Sequence, residues 1–178
     1  MKEDGRNAGR KDKLSMNSKI DVGLVFAIPL AERSFGFGQL IAWQRPIFYM
    51  AGYDLRSESP HVDEREIRNA RPVLFGNFFD ILIRNGHWQP IMQLDSPNAP
   101  FPCFKVKVGD RFYVETWDRR QLREATTEEC ASLQFRTNNS AMVLENALKA
   151  YFGLRAWEPK WFDSLKAEVV AKSSQALF

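Results

Sequence analysis

The stretch Val25-Phe-Ala-Ile-Pro-Leu30, followed at once by Phe35-Gly-Phe-Gly-Gln-Leu-Ile41, decides how this chain is read. Its alternation predicts two β-strands joined by the polar turn Ala31-Glu-Arg-Ser34. Val22, Leu24, Phe26, Ile28 and Leu30 then share one face of the first strand. Phe35, Phe37, Ile41 and Trp43 share one face of the second. Gly36 and Gly38 lie on the opposite face of that strand, where a missing side chain permits curvature or the close approach of another segment.

The same reasoning extends outward. Ile47 to Tyr53 is apolar on both faces and predicts an interior strand. Residues 54–71 form a charged connection in which Asp63-Glu-Arg-Glu-Ile-Arg68 suits a helical turn. Val73 to Ile83 alternates, with Val73, Phe75, Phe79, Ile81 and Ile83 on one face and Asp80 facing solvent. Asn85-Gly86 predicts a hairpin turn, with Trp88 to Leu94 as the returning strand. After the proline-rich loop Ser96 to Pro102, Phe104 to Val108 and Phe112 to Trp117 read as a second hairpin. The period then changes. Thr126-Thr-Glu-Glu129 is a capping box opening a short helix. Ser140 to Phe152 is a second helix, stopped by Gly153. Pro159 opens a third, with Trp161, Leu165 and Val169 as its stripe. About eight short strands followed by helices predict an α+β fold: a curved antiparallel β-sheet or small partly open barrel, with C-terminal helices over one face or an open end.

Several of these residues carry a family likeness. Phe26-Ala-Ile-Pro-Leu30, a turn, then Phe35-Gly-Phe-Gly38 resembles the opening of the immunity protein 26 family of bacterial polymorphic toxin systems. Val73-Leu-Phe75 with Gly86-His-Trp88-Gln-Pro-Ile91 is similar to that family's middle strand and its following turn, departing from the pattern at Met92. Pro100 to Phe104 and the helix start at Thr126 also fit, so the likeness runs over roughly residues 20–135. It implies a protein that neutralises a cognate protein toxin by direct binding in the cytoplasm, with a nuclease among the candidate toxins, and that has no catalytic role.

Composition bounds the alternatives. At 178 residues, with 13% aromatics, the chain is long enough for a substantial core and reads as one domain over 20–178 behind a disordered tail at 1–19. The formal charge of +3 resides wholly in that tail, and residues 20–178 balance. A neutral body argues against a dedicated nucleic-acid protein, although small barrels often serve as nucleic-acid modules. Residues 1–19 hold no apolar block of the length a secretory leader needs and no run of 18 apolar residues occurs, so neither a leader nor a membrane span is expected. Cys103 and Cys130 read as small hydrophobes in a reducing compartment.

Catalytic patterns are missing. His61 and His87 are the sole histidines, no metal-ligand spacing occurs, and no cofactor is implied. Gly36 and Gly38 lack the third glycine and the helix of a dinucleotide loop. No nucleophile elbow is present, which leaves an enzyme with an unrecognised site as the least supported alternative. Asp80 has Asp95 or Glu115 as conceivable carboxylate partners, but strand alternation already accounts for it. Of five tryptophans, Trp43 and Trp161 are in phase with apolar stripes and read as core, whereas Trp88 and Trp157 flank turns and read as surface. Asp54 to Glu66 carries five acids against two arginines, a charge suited to docking a basic protein. Partner binding is therefore assigned to Asp63, Glu64 and Glu66, with Trp88 as the apolar anchor.

Overall fold

In the computed structural model, which describes residues 20–176, the opening hairpin forms as its alternation predicts. Strands β1 (Leu24–Ala31) and β2 (Ser34–Gln44) run antiparallel with Glu32 and Arg33 at the turn. The expected tail at 1–19 lies outside the described residues. β3 (Ile47–Ser57) pairs with β2, β4 (Pro72–Phe78) with β3, and β5 (Gln89–Gln93) with the free side of β1. The order is β4-β3-β2-β1-β5, so β3 is interior as its two apolar faces require. A second sheet contains β6 (Phe104–Val108), β7 (Arg111–Glu115) and β8 (Leu122–Glu124). Both sheets are antiparallel and open, and the fold is α+β.

Local chemistry accounts for the helices. α1 (Glu64–Asn69) and α3 (Thr127–Ser132) each begin on a complete capping box, Asp63 with Glu66 and Thr126 with Glu129. Ser140 caps α4 (Ala141–Tyr151), and Gly153 follows at φ 72°, a left-handed stop that glycine takes without penalty. Pro159 is the first residue of α5 (Pro159–Phe162). A 3₁₀ turn (Asp163–Leu165) and α6 (Ala167–Ser173) follow.

The five-stranded sheet is buried on both sides. Leu24, Phe26, Ile28, Leu30, Leu40, Phe48, Met50, Leu74 and Phe78 meet Ala141, Leu144, Ala147 and Leu148 of α4. On the other face, Ile41, Tyr49, Ala51 and Phe75 meet Phe104 of the second sheet, Trp117 of the turn after β7 and Val170 of α6. Farther along, Val25, Ala27, Phe37 and Tyr53 are covered by Ile67 of α1. Gln39 is buried at 1% exposure yet fully engaged. It accepts from Tyr53 Oη at 2.5 Å and donates to the carbonyls of Gly23 (3.1 Å), Leu94 (3.2 Å) and Asp95 (3.3 Å).

Three sequence expectations need correction. The strand predicted over Val73 to Ile83 ends at Phe78, where the Phe79 N–H leaves the sheet to donate to the Asn139 carbonyl at 3.2 Å. α2 (Ile81–Arg84) replaces its second half, so Asn85-Gly86 does not turn a hairpin and β5 pairs with β1 instead of β4. Phe79 and Ile81 are consequently exposed. Asp80 is buried rather than solvent-facing. Its Oδ2 lies 2.5 Å from Arg84 Nε as an ion pair, although no hydrogen bond of acceptable geometry reaches that oxygen. In the C-terminal segment the helix breaks at Lys166, where ψ is 133°, so the predicted stripe shifts. Phe162, Leu165 and Val170 are buried and Trp161 is exposed.

The outer edges of β4 and β6 are partly bridged. β4 makes bridges at Leu74 with Lys166 and at Phe78 with Asn139, and β6 makes one at Lys105 with Phe135. β5 carries Pro90 opposite Phe26, at a register shift.

Gly38 is a tight point of the core. It lies opposite Phe26 on β1 and Gly52 on β3. A Cβ there would stand 2.6 Å from Phe26 Cε2 and 2.9 Å from the Ala51 carbonyl oxygen, closer than packed atoms approach. Gly38→Ala is predicted to cost about 1–3 kcal/mol by overpacking, measured by urea unfolding. A loss below about 0.5 kcal/mol would show that the Phe26 ring has another place to go.

Candidate partner-binding surface

α1 carries the three acids assigned by sequence. Asp63 Oδ1 accepts from the Glu66 N–H at 2.9 Å, and Glu66 Oε2 accepts from the Asp63 N–H at 2.8 Å. Glu64 Oε1 lies 2.6 Å from Arg68 Nε. All three side chains are exposed, while Ile67 anchors the helix in the core. Arg71 pairs with Asp54 at 3.4 Å. Extended to Arg71, the connection holds five acids and four arginines, so its net charge is much smaller than the window ending at Glu66 indicates. The acids are presented on a rigid turn, but two of them hold that turn together.

Trp88 does not reach the surface, contrary to the sequence assignment. It is completely buried, stacked on Phe26 at a centroid distance of 5.1 Å and an interplanar angle of 7°. The Trp88 N–H donates to the Leu82 carbonyl at 2.8 Å, because α2 turns the chain inward where a hairpin was expected. Its Nε1 donates to Glu145 Oε2 at 3.0 Å. Glu145, 3% exposed, also meets His87 Nε2 at 3.1 Å and Lys149 Nζ at 2.7 Å. Burial pushes the Glu145 pKa up, but hydrogen bonds from Lys149 and Trp88 outweigh it and hold the carboxyl below its ordinary range.

The other tryptophans are also rearranged. Trp43 is 40% exposed and Trp161 52%, the reverse of the assignment from phase. Trp157 is half-buried and donates to Asp163 Oδ1 at 2.8 Å. Trp117 is buried, donating to Asn77 Oδ1 at 2.8 Å. Both cysteines are free. Cys103 is buried and burial raises its thiol pKa, the condition of an unreactive thiol. It lines an inter-sheet cavity of about 220 Å³ together with Tyr49, Phe75, Phe104, Leu133 and Val170. Among the described residues, no group of three or more His, Cys, Asp or Glu is placed to hold a metal ion, and no helix is long and apolar enough to cross a membrane.

One surface feature escaped the sequence reading. At the end of the sheet opposite α1, the β2–β3 turn, the segment after β4 and the turn after β7 form a cleft of about 260 Å³ lined in part by Arg45, Ile47, Phe79 and Arg119. The signals were faint in sequence: Trp43 alternated correctly but sits in the last residues of its strand, and Phe79 was assigned to a strand that had already ended.

The model of the immunity protein 26 family matches residues 21–113, more than half of the chain. The chain belongs to the immunity protein 26 family. The matched segment contains the whole five-stranded sheet, α1, α2 and the start of the second sheet, and stops short of Thr126. Neither a curated protein nor a solved structure matches it. The family motif residues now have physical roles: Phe26 and Trp88 form the stack, and Gly38 makes room for it.

Trp88→Ala is predicted to cost about 3–5 kcal/mol through lost burial and a cavity, read by chemical unfolding. Glu145→Gln should destabilise at neutral pH. Because the folded carboxyl has a lowered pKa, its contribution is complete above the ordinary carboxylate range and is lost as pH falls through the folded value. Unfolding curves of the variant and the parent should therefore converge in acid, and a gap constant across pH would contradict the ion-pair role.

Proposed function

We propose that this chain is a non-catalytic immunity protein that neutralises a cognate protein toxin by stoichiometric binding in the cytoplasm of the bacterium that makes it. The observation that carries this reading is the family match over residues 21–113. A stable sheet buried on both faces, with charged and aromatic side chains at its two ends, is the kind of scaffold such binding uses.

The exposed carboxylates of α1 are the part of this surface suited to a basic toxin, including a nuclease with a cationic substrate cleft. Charges at a rim chiefly speed encounter. Glu64 is the informative position. Asp63 and Glu66 cap the helix, and replacing a cap costs about 1 kcal/mol, which mixes folding with binding.

The test uses the toxin domain encoded beside this chain. Co-expression should protect cells from it, and the purified pair should form a 1:1 complex. Glu64→Lys is predicted to slow association and weaken its salt dependence with only a small shift of the unfolding midpoint, because its pair with Arg68 is exposed. Absence of both protection and complex at micromolar concentration would refute the immunity reading. An unchanged association rate at low salt would leave that reading intact and remove α1 from the contact.

A further inference from the structure

Two arginines in the cleft opposite α1 have no carboxylate partner among the described residues. Arg45, exposed in the β2–β3 turn, holds its guanidinium 4.8 Å from the ring centroid of Trp43. Arg119, also exposed, has φ 61°, a left-handed conformation unfavourable for a residue with a Cβ. The turn enforces it. The Arg119 N–H donates to the Thr116 carbonyl at 3.0 Å, the Arg120 N–H to Asp118 Oδ1 at 3.1 Å, and the Gln121 N–H to Thr116 Oγ1 at 3.1 Å.

The neighbouring charges are already committed. Arg136 pairs with Glu115 at 2.7 Å and donates to the carbonyls of Thr116 (2.9 Å) and Trp117 (3.0 Å). Asp118 lies 3.4 Å from Arg120. Burial lowers the Arg136 pKa, and the like charge of Arg119 lowers it further against the pull of Glu115 and Asp118. Ile47 and Phe79, the latter 41% exposed, line the same cleft as the two arginines, and the exposed Trp43 stands beside Arg45.

The dimensions and composition select the occupant. About 260 Å³ is below the roughly 300–1,000 Å³ of small-molecule sites but admits one or two side chains. Exposed Trp, Phe and Arg together are the composition of an interface anchor. Arginine presents a planar fork matched to carboxylate. Nucleic acid fits less well, since its affinity comes from many phosphate contacts and here the body is neutral.

We propose that this cleft is the affinity anchor for an acidic segment of the cognate toxin, taking an Asp or Glu carboxylate on Arg45 and Arg119 and an adjacent apolar side chain on Phe79 and Ile47. The proposal rests on the immunity reading and supplies the aromatic anchor that the buried Trp88 does not. The experiment measures binding of the full chain to the adjacent toxin domain by interferometry, with Arg45→Glu, Phe79→Ala and Arg119→Gly. The last variant suits the left-handed backbone, so it removes the guanidinium while keeping or improving the unfolding midpoint. Each variant should weaken the complex about tenfold or more, mainly through faster dissociation. Glu64→Lys, run alongside, should change the association rate alone. Wild-type binding that none of the three variants alters overturns the cleft and spares the immunity reading. No wild-type binding overturns both. A labelled single-stranded oligonucleotide bound by the wild type and lost in the same variants would make the occupant nucleic acid and overturn the acidic-segment proposal.

Discussion

The stack of Phe26 on Trp88 is the contact on which the remainder of the structure depends. Gly38 leaves the space into which the Phe26 ring fits, and that ring supplies the flat surface for the indole. The indole N–H, which needs a partner once buried, finds Glu145 on α4. One aromatic pair thereby joins β1, β2, the segment leading into β5, and a helix about 57 residues farther along the chain. A buried carboxylate is costly unless its oxygens are all engaged, and His87, Trp88 and Lys149 engage those of Glu145. Alignment of α4 over the sheet is thus specified by a polar contact as well as by apolar burial.

With both faces covered, the five-stranded sheet offers a partner its ends rather than its faces. β3 runs from Ile47, which lines the arginine cleft, to Ser57, which leads into the connection containing α1. At about 3.3 Å per residue, the strand itself is some 33 Å long.

Much of this architecture was legible in the sequence because it follows from local rules. The opening hairpin has strict alternation, and the Thr126–Glu129 box, the Gly153 stop and the Pro159 start are short-range signals that tertiary packing did not override. The errors came where local and long-range forces compete. Asn85-Gly86 is a strong turn signal, but burial of Trp88 against Phe26 and the pull of Asn139 on Phe79 favour a helical turn and a partner strand distant in sequence. Tryptophan phase misled for a related reason. Period two says which side of a strand a residue occupies, but not whether the covering layer extends that far, and at Trp43 it does not. The cleft joins residues from three turns, a juxtaposition that no local pattern encodes.

The treatment of the sheet edges constrains how this protein recognises anything. β4 is closed by bridges to Lys166 and Asn139, β5 is short and interrupted by a proline, β6 is bridged by Phe135, and β8 has three residues. Among the described residues, an incoming strand would meet edges that are bridged, short or broken by proline. Capture by strand addition, which reads a partner mainly through its main chain and tolerates many sequences, is therefore disfavoured. Side chains at the surface, by contrast, can change identity without disturbing the ladder beneath them, so any selectivity placed there can vary while the sheet stays the same.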